Sequence, residues 1–208
     1  MRTTIVCLLF IISIQVNAQI AAKAIAYAVE VDLEKFNPNV KGEDFDKICR
    51  YEIDAYYTTD KLRTQVRNIF RPEEFELTIR QRLYTLASND EYNIDHENEA
   101  VLFKKGHVYN PKATGKEKKI LNYVCKEYTF KDFRNVQISV WVTDKLPKNI
   151  CPAGNFNLKG AALEILTSNG MHFVATDFEA GELPDDFFNL PTGYAVEEIP
   201  APSSQKKK

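Results

Sequence analysis

Residues 121–143 read LNYVCKEYTF, KDFRN, VQISVWVT: two runs of alternating polarity around a polar turn. Side chains on a strand point alternately to its two faces, so paired strands must agree on which face is apolar. Pairing Phe130 with Val136 aligns Tyr128 with Ile138, Lys126 with Val140 and Val124 with Val142. One strongly apolar face results. The other carries Tyr123, Cys125, Glu127 and Thr129 opposite Thr143, Trp141, Ser139 and Gln137, with Cys125 across from Trp141. A one-residue slip would mix the faces. These residues therefore predict an antiparallel hairpin.

The same period of two recurs outward from it. In the stretch 25–33, Ile25, Tyr27, Val29, Val31 and Leu33 share a face. The stretches 48–58 and 61–70 flank Thr59-Asp60 as a second hairpin, with Leu62, Thr64, Val66 and Asn68 alternating against Arg63, Gln65, Arg67 and Ile69. Residues 75–87 read as a strand with Phe75, Leu77 and Ile79 on one face, followed by the turn Ser88-Asn89-Asp90. Short strands are expected at 92–94 and 100–104, and a further pair at 161–167 and 171–178 around Ser168-Asn169-Gly170. Residues 35–47 are a polar loop, and 106–119 a loop or short irregular helix. About ten strands at this spacing predict a mainly β fold, an antiparallel sheet or barrel.

The start of the chain has the three parts of an export signal. Arg2 is followed by the apolar run Ile5 to Ile14, then by Val16-Asn17-Ala18, which places small residues at −3 and −1 before Gln19. The run is shorter than the ~20 residues a membrane helix needs. Residues 1–18 are thus expected to be a cleavable signal peptide, 19–199 one β-rich domain, and 200–208 a flexible Pro/Ser/Lys tail. Cys7 lies inside the apolar run rather than after the cleavage point, so no lipid attachment site follows it, and no transmembrane anchor is expected in the mature chain.

Charge is balanced, 27 basic against 29 acidic residues, which gives no attraction to nucleic acid or to an anionic membrane. Export places Cys49, Cys125 and Cys151 where disulfides persist, and their odd number allows at most one internal bridge. Cys125–Cys151 is the favoured pair because the two lie close in the second half; three separate buried thiols fit as well.

Catalytic signatures are missing. The sequence has no Gly-x-Ser-x-Gly elbow, no Gly-rich phosphate loop, and no His or Cys at metal-ligand spacing. His96 and His107 read as surface-loop residues, and His172 lies in a strand. The adjacent carboxylates Asp185-Asp186 and Glu197-Glu198 read as solvated rather than converging across a cleft. No catalytic residue, cofactor or metal is assigned. Trp141, the sole tryptophan, fits a core position more readily than a ligand contact. Its mixed-polarity face, carrying Tyr123 and Trp141, is nonetheless the candidate lining of an apolar cavity.

Four stretches in the second half resemble a known family. KILNYVCK at 119–126 is similar to its KIxGYxCKK strand, and WVTDKLP at 141–147 to its WYTxxLP strand end. KGAALEI at 159–165 stands where GLPGLILEI is found, and FFNLPTGY at 187–194 resembles LFxLPxGY. The family is the secreted GLPGLI/DUF4412 type of Bacteroidota, distantly similar to LolA/LolB. Its motif positions here are Cys125, Trp141, Pro147, Gly160, Pro191, Gly193 and Tyr194; Gly160-Ala161-Ala162 and Asn122 depart from the pattern. The resemblance implies an unclosed antiparallel β-barrel or curved sheet with a few short helical segments, and no catalytic residues. In the related carriers the concave side holds lipid or a lipoprotein's acyl chains.

Together these readings predict an exported, non-catalytic binding protein of the cell envelope, periplasmic or outer-membrane-associated to extracellular. A lipid or other hydrophobic ligand would lie on the concave face. The alternative is a structural or protein-interaction component of the envelope with a solid core.

Overall fold

The structure is a computed structural model that describes residues 19–36, 48–70, 81–107, 109–154 and 156–199. The leader 1–18, the tail 200–208, most of the 35–47 loop and the Phe75, Leu77 and Ile79 face lie outside the described residues. Twelve strands form one sheet. In chain order they are β1 (Gln19–Asp32), β2 (Ile48–Tyr57), β3 (Lys61–Phe70), β4 (Gln81–Thr85), β5 (Glu91–Asp95), β6 (Ala100–Lys104), β7 (Lys112–Ile120), β8 (Tyr123–Lys131), β9 (Gln137–Thr143), β10 (Ala161–Thr167), β11 (Met171–Pro184) and β12 (Ala195–Glu198). A single turn of helix, α1 (Leu33–Phe36), follows β1. No helix among the described residues is long and apolar enough to cross a membrane.

Across the sheet the order is β12-β6-β5-β4-β3-β2-β1-β11-β10-β9-β8-β7. Every pairing is antiparallel except β12 on β6. This order forces curvature. In a flat sheet β6 and β7 would lie ten strand spacings apart, about 48 Å. They are joined by residues 105–111, which span about 30 Å at full stretch. The sheet therefore curls into an unclosed barrel whose seam runs between its edge strands β12 and β7. The expected fold class holds.

A registered row of side chains builds the concave core. Tyr51, Val29, Phe173, Ile165, Val140 and Tyr128 are successive cross-strand partners from β2 through β1, β11, β10 and β9 to β8. The long connection between β9 and β10 fills one end of the barrel, burying Ile150, Cys151, Phe156 and Leu158. It is held by backbone bonds from Ala162 N to Ile150 O (2.8 Å) and Asn149 N to Leu158 O (3.3 Å).

A second apolar layer lies on the convex side. Ala22, Leu83, Ile94 and Val101 are covered by Phe188, with Leu183, Phe187, Leu190 and Tyr194 packed around it. The segment 183–194 thus straps the outer face of the first-half strands before β12 joins β6.

Two expectations need correction. The β8–β9 hairpin is displaced by two residues from the sequence reading: Phe130 pairs with Ile138, Tyr128 with Val140, Lys126 with Val142, and Glu127 with Trp141. The turn is tighter than expected. Asp132 N donates to Val136 O (3.1 Å), its Oδ1 accepts from the Arg134 and Val136 amides, and Asn135 takes φ 66°. An even shift keeps every side chain on its face, so polarity alone does not distinguish the two registers. Second, residues 112–120 form strand β7 rather than a loop or helix. As an exposed edge rich in lysine it has no buried stripe to mark it, and charge on an edge discourages pairing with other chains.

Candidate functional site

Polarity is inverted on the β4–β6 side of the barrel. Because the 183–194 strap buries Leu83, Ile94 and Val101 outward, their neighbours Arg82, Glu91 and Lys104 face the concave side. There they border a cavity of about 460 Å3, within the roughly 300–1,000 Å3 typical of ligand pockets. Tyr51, Ile53, Val66, Ile138 and Phe173 form its apolar walls, and Phe156 of the β9–β10 plug contributes from one end. Phe36, Phe133, Arg134, Thr167 and Asn169, from α1 and the β8–β9 and β10–β11 ends, border it at the other end.

The Glu91 carboxylate sits between two cations, 3.8 Å from Arg82 Nε and 3.9 Å from Lys104 Nζ. Tyr84 and Glu91 beside it hold the Arg82 guanidinium firmly charged. Burial pushes the Tyr51 phenol up to about 12, so it faces the cavity as a neutral hydroxyl. Asp132 is engaged by Arg134 at 3.4 Å. Asn169 has a buried side-chain oxygen with no hydrogen-bond partner among the described residues.

The seam segment contributes an aromatic cluster. Tyr109 packs on Phe130 (5.3 Å), Phe156 (5.6 Å) and His107 (4.6 Å between ring centroids). A smaller hollow of about 200 Å3 lies against Tyr109, Tyr128 and Val142.

Neither sequence candidate for ligand lining borders the main cavity. Trp141 is on the convex face between its register partners Glu127 and Glu164, with Lys118 Nζ 4.2 Å from its ring centroid. Lys118 also pairs with Glu164, which His172 Nε2 approaches at 3.1 Å. Tyr123 packs its ring on Phe178 at 5.1 Å, away from the cavity. The residues that do face the cavity carried a signal in the alternation of β4–β6. It is legible only once the outward layer is known.

The expected Cys125–Cys151 bridge is absent: Cys49, Cys125 and Cys151 are buried, unbridged thiols. Cys125 Sγ is turned to the Tyr123 carbonyl at 3.7 Å, while the Cys151 thiol faces the backbone of Ala153 and Gly154 in the plug. The two sulfurs of the expected pair thus have separate local partners.

The remaining motif positions serve the frame. Gly160 has the Thr143 carbonyl where a Cβ would sit, Gly193 takes φ 87°, and Tyr194 hydroxyl meets His96 Nδ1 at 2.9 Å. Pro191 is half-buried in the strap and Pro147 is exposed after β9. Arg63 Nη1 donates to the Phe187 carbonyl and Lys61 Nζ to that of Phe188 (3.3 Å), fastening the strap to β3.

The sequence matches no family model and no curated protein. Among solved structures it is similar to PNGF-II in a C2 crystal form, with TM-score 0.53 and 16% identity over 88% of this chain and 31% of that one. The P21 form gives TM-score 0.53 and 15% identity over 88% and 32%. This chain thus spans about a third of the length of PNGF-II, and at such identity the likeness shows a shared fold alone. An uncharacterized conserved protein from Thermus thermophilus matches with TM-score 0.45 and 10% identity over 86% of this chain and 90% of that one.

Proposed function

We propose that this chain is an exported, non-catalytic binding protein of the cell envelope that holds a lipid or other hydrophobic ligand inside its curved sheet. The observation that carries the reading is the cavity of about 460 Å3 behind Ile53, Val66, Ile138 and Phe173. A purely structural protein gains stability by filling such a space, since interiors pack to near crystal density. The n-region, apolar run and small-residue site of residues 1–18 support export to the periplasm or beyond.

The test is uptake of the neutral fluorophore N-phenyl-1-naphthylamine by purified protein, with native mass spectrometry of material extracted from its host. Saturable probe binding that is lost in Phe173→Asp or Ile138→Asp variants of unchanged circular dichroism supports the reading. Absence of both probe binding and a co-purifying lipid overturns it in favour of a solid-core envelope component.

A further inference from the structure

The proposed ligand would lie against a charged wall as well as an apolar one, and the charge has a sign. Among the described residues, four cations, Arg82, Lys104, Lys105 and Arg134, border the cavity against two carboxylates, Glu91 and Asp132. The chain as a whole is net −2, so the excess of positive charge is local. Asp132 is already committed: it accepts the amides of Arg134 and Val136 and pairs with the Arg134 guanidinium. Among the described carboxylates Glu91 is the one that answers both Arg82 and Lys104, at 3.8 and 3.9 Å. Those separations exceed a charge-assisted hydrogen bond, which falls at about 2.7–2.9 Å. Two cations therefore share one carboxylate without either closing on it.

We propose that the cavity takes an anionic amphiphile, its carboxylate or phosphate head held by Arg82 and Lys104 and its chain laid along Ile53, Val66, Ile138 and Phe173. This rests on the reading of the cavity as a hydrophobic-ligand site and adds the class of ligand. Two cations that share one carboxylate leave positive charge over in a partly desolvated pocket, and an incoming anion offsets it while gaining forked hydrogen bonds from the guanidinium. The placement matches an amphiphile. The cations stand on β4 and β6, and the apolar walls belong to β2, β3, β9 and β11. Glu91 acts as the resident competitor for the head group.

The experiment compares dodecanoate with dodecanol, each displacing N-phenyl-1-naphthylamine from the purified protein at pH 8. Hydrogen bonds to charged groups are stronger than neutral ones, so dodecanoate is expected to bind about tenfold or more tightly than the alcohol. Lys104→Met should reduce that preference several-fold while probe binding persists. Glu91→Gln should strengthen dodecanoate binding, a gain that general damage to the fold would not produce. Dodecyl phosphate, run alongside, separates phosphate from carboxylate heads. Equal affinity for acid and alcohol, with the probe still bound, overturns this proposal and leaves the hydrophobic-ligand reading intact. Displacement by acetate or inorganic phosphate as effective as by dodecanoate also overturns it, because the chain then contributes nothing. If the probe does not bind and no lipid co-purifies, both readings fall; a co-purified lipid without a negative charge overturns this proposal alone.

Discussion

The side-chain amide of Asn149 donates to the carbonyl of Leu86 at 3.1 Å, tying the β9–β10 plug to the β4–β5 turn on the opposite wall of the barrel. The same amide reaches Asn89 Oδ1 at 3.3 Å. Strands β4 and β9 lie six positions apart in the sheet, so this contact exists only because the sheet curls.

Asn149 also holds φ 65°, a left-handed conformation that costs a residue with a Cβ about 1–2 kcal/mol. Asn149→Ala should therefore lose both the cross-barrel bonds and conformational ease, about 2–4 kcal/mol in denaturant unfolding. Asn149→Gly keeps the backbone but still loses the bonds, and should cost about 1–3 kcal/mol. Equal losses in the two variants would remove the backbone from the explanation.

Gly160 is where β10 begins against β9, and a Cβ there would fall 1.9 Å from the Thr143 carbonyl oxygen. Gly160→Ala must push the two strands apart, and we expect a loss of about 3 kcal/mol or more, or failure to fold. Gly181→Ala in β11 is the control. Nothing lies within 4 Å of its added Cβ, and a change within about 0.5 kcal/mol is expected. Denaturant midpoints and soluble yield report both.

The three buried thiols should be inert in the folded protein. Burial pushes Cys125 up to about 11 and Cys151 up to about 12, leaving almost no thiolate at neutral pH. Iodoacetamide at pH 7.5 should label none of Cys49, Cys125 and Cys151 in native protein and all of them after unfolding. Recovery of a linked Cys125–Cys151 peptide under non-reducing digestion would contradict the unbridged thiols of the structure.

Lys118 caps the ring of Trp141, which is 9% exposed. Lys118→Ala should uncover the indole, shifting its emission to longer wavelength and raising acrylamide quenching. Since Trp141 is outside the cavity, a ligand taken up inside should leave that quenching unchanged. A large change on ligand binding would place the ligand on the convex face instead.

Glu127 accepts hydrogen bonds from Ser139 Oγ and Thr114 Oγ1, each at 2.7 Å, and pairs with Lys116 at 3.1 Å. These partners, Ser139 first, hold its carboxyl below the usual 4.5. A folded value below the unfolded one means the stabilisation is present above pH 4.5 and is lost as pH falls through the lowered value. The thermal midpoint of the native protein should therefore drop on acidification below pH 4.5, and Glu127→Gln should show a shallower drop. Identical slopes would mean that other carboxylates carry the acid sensitivity.

Much of this architecture is written locally. Thr59-Asp60 between two alternating runs already specifies the β2–β3 hairpin, and Ser168-Asn169-Gly170 specifies β10–β11, because turn residues and a period of two act over neighbouring positions. The face on which each residue of β8 and β9 lies was equally legible. Their register was not, since a two-residue shift preserves polarity and only the Asp132 turn selects it.

What the sequence by itself determined is most of the strands, β7 and β12 excepted, the pairing within the local hairpins and an apolar surface on one side of most strands. What only the tertiary structure decided is which side of β4, β5 and β6 faces inward. Local alternation marks two faces but does not name the inside. That is settled by the strap 183–194, far away in the chain, which buries Leu83, Ile94 and Val101 on the convex side and so turns Arg82, Glu91 and Lys104 into the cavity. Trp141 lies on the convex face by its register with Glu127 and Glu164, whereas the inward side of β4–β6 was assigned by a contact distant in the chain, because burying apolar side chains under the strap removes them from water.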